Sequence, residues 1–512
     1  MNPQSFFKGI LTISICFILL SCSNTNGNTL PNPEIKEGIA KLSGKIANFH
    51  PYGGKDCRML ILTFSHPVTG EICMRTTGVS EDGAFTFEVP MQCNYAIGHI
   101  RPEFSSYDEF EVCLASGKET KIDIIYGETT GSIKNINQTD SIGLTSTDLI
   151  NINMLTNKLI SYISPELLNT YAKTPDEFVQ RARIALNNRL KRIAENKTLS
   201  ENAKNYLANE MKLLNLNLRL LRYGDNMHFD YLNAGNKDIE NFNPPKPNKE
   251  YYTFLKNFDL NNPQYLYHGY YYSEVLQKIN DTLNISPIND MPVIQWMKET
   301  KNTLSKLVGF DKGLFYDLLA ANSYARQFNN ELRPLSKKQI ENINNYFKGE
   351  NEEIAKILLR KNDEIIKLAA QKEPLVVNET PKVPKEKLVD AIISKYKGKV
   401  IVADLWATWC APCLKAMEEY RTVKGELKGK DVVFVYLTDN SSPQKLWEEK
   451  IKGIGGEHYY LNKEEWLQLM DTFQFEAIPS YVIFDTKGQV SQKFTSYPGN
   501  EKMQAMIEKL LP

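Results

Sequence analysis

The sequence has no excess of charge of either sign, few histidines and no apolar run suited to a membrane span. Its 61 Lys and Arg residues balance 61 Asp and Glu residues, so the charge gives no support for nucleic acid as a partner. The 6 histidines show no metal-ligand spacing, and the central region carries no nucleotide, phosphate or hydrolase motif. The apolar run Ile10–Leu20 is too short for a transmembrane helix, which needs about 20 residues. The functional argument therefore falls on the cysteines.

The N-terminus has the form of a targeting segment. Lys8 supplies a positive charge ahead of the apolar run, and Leu19-Leu20-Ser21-Cys22 resembles the lipobox of bacterial lipoproteins. We expect residues 1–21 to be a signal peptide removed before Cys22, whose thiol would carry the lipid, and residues 22–38 to be a tether. An ordinary secretory signal with an incidental cysteine is the alternative. Both interpretations place the protein in the cell envelope, and the first predicts a lipid-anchored membrane protein that faces the periplasm or the surface.

Four of the eight cysteines fall in one N-terminal segment. They are Cys57, Cys73, Cys93 and Cys113. An even number of cysteines in an exported domain predicts two structural disulfides, with the pairing left open. Four buried free thiols are the alternative, since the sequence does not place these residues within bonding distance.

A Cys-x-x-Cys pair, Cys410 and Cys413, follows an apolar strand and opens a predicted helix. At a helix N-terminus, free backbone N–H groups and the helix dipole stabilise a thiolate and lower the thiol pKa from about 8.5 towards 7 or below. Cys410 is therefore expected to be the nucleophile. Cys413, one turn further in, is placed to attack a mixed disulfide on Cys410 and release the product. The pattern predicts a thiol–disulfide exchange site.

Two other interpretations of the pair are open. A structural zinc site needs two more ligands, and only His458 and scattered carboxylates are available in this part of the chain. A permanently oxidised structural disulfide is the second, and the position of the pair at a helix start argues against it. We therefore expect no metal and no other cofactor.

The residues around the pair resemble the thioredoxin superfamily, and more closely the TlpA/ResA-like thiol–disulfide oxidoreductases of bacterial envelopes. The resemblance rests on Trp406, Trp409, the Cys-x-Pro-Cys core and the distant Ile478-Pro479, where the family carries a cis-proline that faces the active site. It implies that Asp404, inside the apolar strand, accepts the proton of Cys413. The residues expected to contact the client, which is the protein whose disulfide is exchanged, are Trp409, Ala411, Pro412, Ile478 and Pro479.

Three positions depart from the family pattern. Val435 stands where thioredoxin has a lysine that pairs with the buried aspartate, so we expect Asp404 to lack a cationic partner. Ala416 stands where the ResA-like proteins tied to cytochrome c maturation have a glutamate, which argues against haem-protein substrates. Glu418 replaces a kinking proline, so a straighter active-site helix is expected.

The dipeptide between the cysteines, Ala411-Pro412, resembles the Gly-Pro of reducing thioredoxins. Strongly oxidising relatives have a histidine before the second cysteine, and this chain does not. The sequence thus favours a reductase, or an isomerase, of disulfides in exported proteins, kept reduced by a thiol donor in the membrane. A disulfide oxidase is one alternative, and a binding lipoprotein with a redox-passive thioredoxin module is another.

The sequence predicts a multidomain protein with three folded regions. Short alternating runs over residues 39–130 indicate an antiparallel β-sandwich, and helical apolar spacing over residues 145–371 indicates an all-α domain. Residues 372–384 contain three prolines and indicate a linker, ahead of a thioredoxin-like α/β domain at residues 385–512. This order resembles that of Bacteroidetes-type envelope lipoproteins. The aromatic stretch Tyr265–Tyr272 is interpreted as interhelix packing, with a recognition surface as the alternative.

Several local features are also predicted within these regions. Thr174 and Ser200 are expected to start helices. The apolar spacing predicts helical structure over Leu304–Tyr324 and over Ser336–Leu368. Ser441–Asn462 resembles the extra helical insertion of TlpA-like proteins.

Overall fold

The computed structural model describes six stretches of the chain. These are residues 30–48, 59–102, 109–127, 133–239, 241–371 and 374–511. The expected signal peptide, the expected lipidation site Cys22 and the cysteine Cys57 lie outside them, so the statements about these residues remain predictions. Within the described stretches, no helix has both the length and the hydropathy needed to cross a bilayer.

The N-terminal part of the described chain forms two four-stranded sheets. Their strands are β1 (Ile35–Ala47), β2 (Met59–Ser65), β3 (Ile72–Gly78), β4 (Ala84–Cys93), β5 (Tyr95–Pro102), β6 (Phe110–Ala115), β7 (Glu119–Tyr126) and β8 (Ile133–Gln138). The first sheet has the order β4-β1-β7-β8 and the second the order β3-β2-β5-β6. Alternating residues such as Phe85, Phe87 and Val89 are buried, as expected for strands with one covered face. The predicted strands are present, but β1 and β7 run parallel, which was not expected.

Three of the four N-terminal cysteines, Cys73, Cys93 and Cys113, are free thiols. Two disulfides among the four would need a bond between two of these three, so that prediction is wrong. Cys73 on β3 and Cys113 on β6 lie at opposite edges of the second sheet, three interstrand spacings or about 14 Å apart. A disulfide needs Cα atoms within about 7 Å. Cys93 ends β4 in the other sheet, and Cys113 donates instead to the carbonyl oxygen of Ser141 at 3.2 Å.

Helices dominate the region that follows the two sheets. They are α1 (Ser146–Ser161), α2 (Pro175–Ala194), α3 (Glu201–Leu214), α4 (Tyr223–Asn233), α5 (Gly269–Thr282), α6 (Val293–Val308), α7 (Leu314–Glu331), α8 (Lys337–Tyr346) and α9 (Glu352–Gln371). Thr174 caps α2 and Ser200 caps α3 through their side-chain oxygens, as predicted. These caps satisfy backbone N–H groups that the helix itself leaves without partners.

Two stretches that were predicted as helical each contain parts of two helices. Gly309, with a φ of 90°, ends α6, and Gly313, with a φ of 112°, precedes α7. Glycine adopts these values without the steric cost that a Cβ atom would impose. A 3₁₀ turn at Gly349–Asn351 separates α8 from α9 in the same way.

The two sheets and the helices share one hydrophobic core. Its buried side chains extend from Leu30 to Ile365 without dividing into a sheet core and a helix core. Tyr265 and Tyr272 are fully buried within it, which confirms the packing interpretation of the aromatic stretch. The first two predicted regions therefore stabilise each other by burying apolar surface in common.

The C-terminal region is a six-stranded mixed sheet with a hydrophobic cluster on each face. Its strands are β9 (Leu375–Asn378), β10 (Val400–Leu405), β11 (Val432–Asp439), β12 (Gly456–Leu461), β13 (Ser480–Phe484) and β14 (Val490–Thr495), in the order β14-β13-β10-β11-β12-β9. Its helices are α10 (Leu388–Ser394), α11 (Ala411–Glu419), α12 (Arg421–Glu426), α13 (Gln444–Ile454), α14 (Lys463–Phe473) and α15 (Asn500–Glu508). β10 lies between β11, its parallel neighbour, and β13, its antiparallel neighbour.

Two segments of this region differ from the prediction. β9 lies within the expected linker and pairs with β12 as a parallel edge strand. Its Leu-Val-Val sequence is apolar and largely β-branched, which suits a strand, although prolines stand on both sides. The segment Ser441–Asn462, expected to be helical, contains α13 and then β12.

Helix α13 packs against α7 of the helical region. The guanidinium group of Arg326 on α7 forms ion pairs with two carboxylates, Asp281 Oδ1 at 2.6 Å and Glu449 Oε2 on α13 at 3.0 Å. Gly453 permits the close approach, because a Cβ atom there would lie 2.9 Å from the carbonyl oxygen of Asn330. The C-terminal region therefore contacts the helical region through α13.

Candidate active site

Strand β10 carries the chain to the cysteine pair. All its residues are buried, because hydrophobic clusters cover both faces of the sheet. After the strand, Trp406 is fully buried, and α11 begins at Ala411 with Cys410 as its N-cap. Pro412 occupies the first turn, where its missing N–H costs no intrahelical hydrogen bond.

Cys410 and Cys413 are joined by a disulfide. Cys410 Sγ accepts a hydrogen bond from the backbone N–H of Cys413 at 3.2 Å. Cys410 is 4% exposed and Cys413 is 0% exposed, so Cys410 carries the outer sulfur. In the reduced protein, the same N–H group and the helix N-terminus would stabilise a thiolate at Cys410.

Exposed side chains flank the pair. Trp409 is 62% exposed, and its indole N–H donates to Ser441 Oγ at 3.1 Å. Pro412 is exposed as well. The Ile478–Pro479 peptide bond is cis, and Ile478 packs against the hydrophobic cluster that contains both cysteines. The fold thus brings a distant part of the sequence beside the pair.

Asp404 is buried in β10, with 1% of its surface exposed. Its Oδ2 accepts a hydrogen bond of 2.6 Å from the hydroxyl of Tyr420, and its Oδ1 has no partner among the described residues. Burial raises the pKa of Asp404 to about 7, although the Tyr420 hydrogen bond and the Lys424 charge act in the opposite direction. A carboxyl group with that pKa exchanges a proton readily near neutral pH.

The expectation that Asp404 lacks a cationic partner is wrong. Val435, the position considered for a lysine, belongs to the hydrophobic cluster on the other face of the sheet. The cation is instead Lys424 on α12, which is 6% exposed and whose charge lowers the pKa of Asp404. Its Nζ donates to the hydroxyl of Tyr436 at 3.0 Å and to the carbonyl oxygen of Ile454 at 3.3 Å.

The prediction of a straighter active-site helix is also wrong. Helix α11 ends at Glu419 and α12 begins at Arg421, because Tyr420 leaves the helical conformation with a ψ of 8°. Tyr420 is 1% exposed, and its hydroxyl reaches Asp404. Sequence reasoning missed this tyrosine and Lys424. Their spacing of four residues, which places two side chains on one face of a helix, was the available signal.

The zinc interpretation finds no support in the geometry. In the parts of the chain that the structure describes, no three His, Cys, Asp or Glu side chains are arranged as metal ligands. His458 is fully buried, and its Nε2 bonds the carbonyl oxygen of Gly455 at 3.0 Å. Its ring stacks on Tyr436 with 4.7 Å between centroids, so it packs within the domain.

Comparison with known proteins concerns this C-terminal region. The Redoxin family model matches residues 380–511. The thiol-disulfide oxidoreductase ResA of Geobacillus kaustophilus is 25% identical over 120 residues, which are 23% of this chain and 68% of that protein. ResA of Bacillus cereus is 22% identical over 119 residues, which are 23% of this chain and 66% of that protein. The match thus spans about two thirds of the length of these relatives.

Solved structures were compared as well. The thioredoxin domain of a thiol-disulfide oxidoreductase from Bacteroides vulgatus is 16% identical, with a TM-score of 0.21, and the match covers 23% of this chain and 84% of that one. StoA from Bacillus subtilis is 20% identical, with a TM-score of 0.19, and the match covers 22% of this chain and 83% of that one.

The family match and the site agree with each other. A cysteine pair at a helix N-terminus, reached from a buried central strand, lies within the matched residues, and so does the cis-proline Pro479. The C-terminal quarter of the chain is a domain of the thioredoxin superfamily. Its similarity to ResA places it with the TlpA/ResA-like members of that superfamily.

Proposed function

We propose that the protein is a cell-envelope thiol–disulfide oxidoreductase that reduces, or isomerises, disulfides of exported proteins. One observation carries the proposal: the disulfide of Cys410 and Cys413 lies at the N-terminus of α11, and the strand leading to it holds the buried carboxyl of Asp404. Relatives named as thiol-disulfide oxidoreductases support the same class of reaction.

In the first step, the Cys410 thiolate attacks one sulfur of the client disulfide. A bond forms between Cys410 Sγ and that sulfur, and the client S–S bond breaks. The other client sulfur leaves as a thiolate and takes a proton from solvent. The helix N-terminus favours the attacking thiolate, and the exposure of Trp409 and Pro412 leaves room for a protein chain beside it.

In the second step, Cys413 gives its proton to Asp404 and attacks Cys410 Sγ. The bond between the two cysteines forms, the mixed disulfide breaks, and the second client sulfur leaves as a thiolate. Two electrons have then passed to the client, and the pair is oxidised, as it is in the structure. A thiol donor in the membrane would return two electrons and regenerate the dithiol.

Residues around the pair would hold an extended client chain. The hydrogen-bonded pairing of β13 with its two neighbouring strands begins at Ser480, so the backbone of Ile478 would pair with a client segment. The carbonyl oxygen of Pro479 already accepts from the N–H of Ser496 at 2.9 Å. Trp409 offers a large exposed ring beside the pair, and Ala411 and Pro412 form the first turn of α11. These assignments rest on position beside the disulfide.

The direction of electron flow and the location rest on the sequence. Ala411-Pro412 favours a reductant, and the chain has no histidine before Cys413. Lys8 and the lipobox that ends at Cys22 support a lipid anchor in the envelope. Oxidation would use the same residues in reverse, and a measured redox potential distinguishes the two directions.

The reaction is tested by following the reduction of a peptide disulfide by the prereduced full chain. Cys410→Ser should abolish reduction and form no mixed disulfide, whereas Cys413→Ser should accumulate a stable mixed disulfide through Cys410. Cys73→Ser is the matched control, because Cys73 is a free thiol outside the pair, and it should react like the unaltered protein. Reduction that persists in Cys410→Ser would overturn the proposal.

A further inference from the structure

A hydrogen-bonded chain leads from a buried cation to Asp404. The ammonium group of Lys424 lies 3.0 Å from the hydroxyl of Tyr436, which lies 3.1 Å from the hydroxyl of Tyr420. The Tyr420 hydroxyl in turn lies 2.6 Å from Asp404 Oδ2. The most exposed of the four side chains is Lys424, at 6%, so the chain is shielded from solvent.

The direction of donation along this chain is set by chemistry. A lysine ammonium group only donates, so the hydroxyl oxygen of Tyr436 accepts from Lys424. Tyr420 has a single hydroxyl proton, and the short contact with the carboxylate takes it. The bond between the two tyrosines is therefore donated by Tyr436. Each donor polarises the next, so the positive charge of the lysine is felt at the carboxylate.

We propose that Tyr420, Tyr436 and Lys424 form a positioning relay for Asp404. The relay holds Oδ2 and leaves Oδ1 as the oxygen that takes the proton of Cys413. This inference rests on the proposed function, in which Asp404 is the base for Cys413. Oδ1 is buried and has no hydrogen-bond partner in the described part of the chain, so it is the carboxyl oxygen left to take a proton.

The relay also opposes the effect of burial on the carboxyl group. Burial is the largest influence on the pKa of Asp404 and raises it, whereas the Tyr420 hydrogen bond and the Lys424 charge lower it, which leaves it at about 7. Without these two contributions the pKa of Asp404 would lie higher, and a smaller fraction of the carboxyl would be ready to accept a proton at neutral pH. Lys424 is itself fixed by the carbonyl oxygen of Ile454 at the end of α13, where the helix dipole favours a cation.

Other ionisable groups that face the relay do not change their charge near pH 7. Arg421 on α12 interacts electrostatically with Tyr420 and Tyr436, and it stays a cation although burial lowers its pKa. Tyr481 on β13 and Tyr497 beyond β14 both face Asp404, and burial together with its charge raises the pKa of each phenol. His458 on β12 stacks on Tyr436, and burial lowers its pKa to about 3. A response near neutral pH therefore reports on Asp404 and, after reduction, on the two cysteines.

Two variants test the relay. Tyr420→Phe removes the hydroxyl and keeps the ring that stacks on Phe434, and Lys424→Met removes the charge and keeps most of the side-chain length. In stopped-flow measurements, attack by Cys410 should keep its rate. Release of the client from the mixed disulfide by Cys413 should be about tenfold slower at pH 7. The midpoint of its pH–rate profile should lie about one pH unit higher, because a hydrogen bond to the charged form of Asp404 is lost.

The matched control is Tyr497→Phe. The ring of Tyr497 tilts against Tyr420 with 5.5 Å between centroids, and its hydroxyl bonds Asn500 at 2.6 Å, outside the relay. Its pH profile should coincide with that of the unaltered protein. A merely structural role for Tyr420 would instead lower thermal stability in Tyr420→Phe and leave the pH midpoint of release in place.

A second readout needs no activity. Infrared titration of the oxidised full chain, with the Asp404 band identified by Asp404→Asn, should show the carboxyl titrating at higher pH in Tyr420→Phe and in Lys424→Met. An unshifted titration in both variants overturns the relay. If the unaltered protein reduces no disulfide, the proposed function fails, and this titration still decides whether the relay acts on Asp404.

Discussion

The hydroxyl of Tyr420 donates to Asp404 Oδ2 across 2.6 Å, and Tyr420 is also the residue at which the active-site helix breaks. One turn later, on α12, Lys424 brings a buried ammonium group to the same network. The break in the helix therefore supplies one of the two groups that act on the carboxyl, Tyr420, and the other, Lys424, follows one turn later. A buried carboxyl held in this way is suited to proton transfer, but its charged form is costly to bury.

That cost predicts a stabilising substitution. The pKa of Asp404 is raised from 3.8 to about 7, so the folded protein binds the proton more tightly than the unfolded chain. The contribution of this proton binding to the free energy of unfolding is fully present below about pH 4 and is lost as pH rises through 7. Between the two ends of this range the contribution of Asp404 differs by an amount on the order of 4 kcal/mol. We expect Asp404→Asn to leave stability at pH 4 nearly unchanged and to increase it at pH 8, as measured by urea unfolding of the oxidised protein.

The control for this measurement is Asp471→Asn, which removes an exposed carboxylate on α14 and should change stability little at either pH. A destabilising effect of Asp404→Asn that grows with pH would show that the charged carboxylate is favoured by the fold.

Much of this site could be predicted from the sequence, because it depends on local order. A buried strand, a cysteine pair and a helix start follow one another within a few residues, and each has its own local signal. For the cationic partner of Asp404 the only local signal was the four-residue spacing of Tyr420 and Lys424, which does not show that Lys424 reaches the carboxyl through Tyr436 on another strand. The prediction of two disulfides among the N-terminal cysteines failed for a related reason, since only the strand order shows that Cys73 and Cys113 lie at opposite edges of a sheet.

The free state of the N-terminal cysteines is open to direct test. In protein prepared under oxidising conditions and then denatured without reductant, Cys73, Cys93 and Cys113 should all be alkylated. In the native protein Cys93 should react slowly, because burial raises its pKa to about 12 and denies the reagent access. Cys410 and Cys413 should be labelled only after reduction. A peptide map with a disulfide between any two of the first three would contradict the structure.

The redox potential of the pair decides the direction of the reaction. Equilibration with dithiothreitol or glutathione should place it nearer to thioredoxin, at about −270 mV, than to the oxidase DsbA, at about −120 mV. Pro412→His should raise the potential, since a cationic ring beside Cys410 stabilises the thiolate and hence the reduced form. A value near the oxidase end for the unaltered protein would assign oxidation instead.

The membrane anchor is a prediction about residues outside the described stretches. Cys22→Ala should move the protein from the membrane fraction to the soluble fraction of the envelope, because the lipid would have no thiol to carry it. Ser23→Ala, one residue further on, serves as the control and should stay with the membrane. Unchanged membrane association of Cys22→Ala would exclude lipidation at this cysteine as the anchor.

The contact of α13 with α7 predicts that Gly453 is needed to hold the thioredoxin-like domain against the helical region. A Cβ atom at Gly453 would meet the carbonyl oxygen of Asn330 at 2.9 Å and the backbone nitrogen of Leu332 at 3.2 Å. Both are backbone atoms that cannot rotate away, so Gly453→Val should separate the helices at a cost of about 1–3 kcal/mol. The ion pair of Arg326 with Glu449 would be strained at the same time. Limited proteolysis should then cleave near residues 372–384 faster than in the unaltered protein.

Gly425→Ala, on α12 with no atom within 4 Å of the added methyl group, is the control and should not accelerate cleavage. Equal cleavage rates in Gly453→Val and the unaltered protein would mean that α13 does not hold the two regions together.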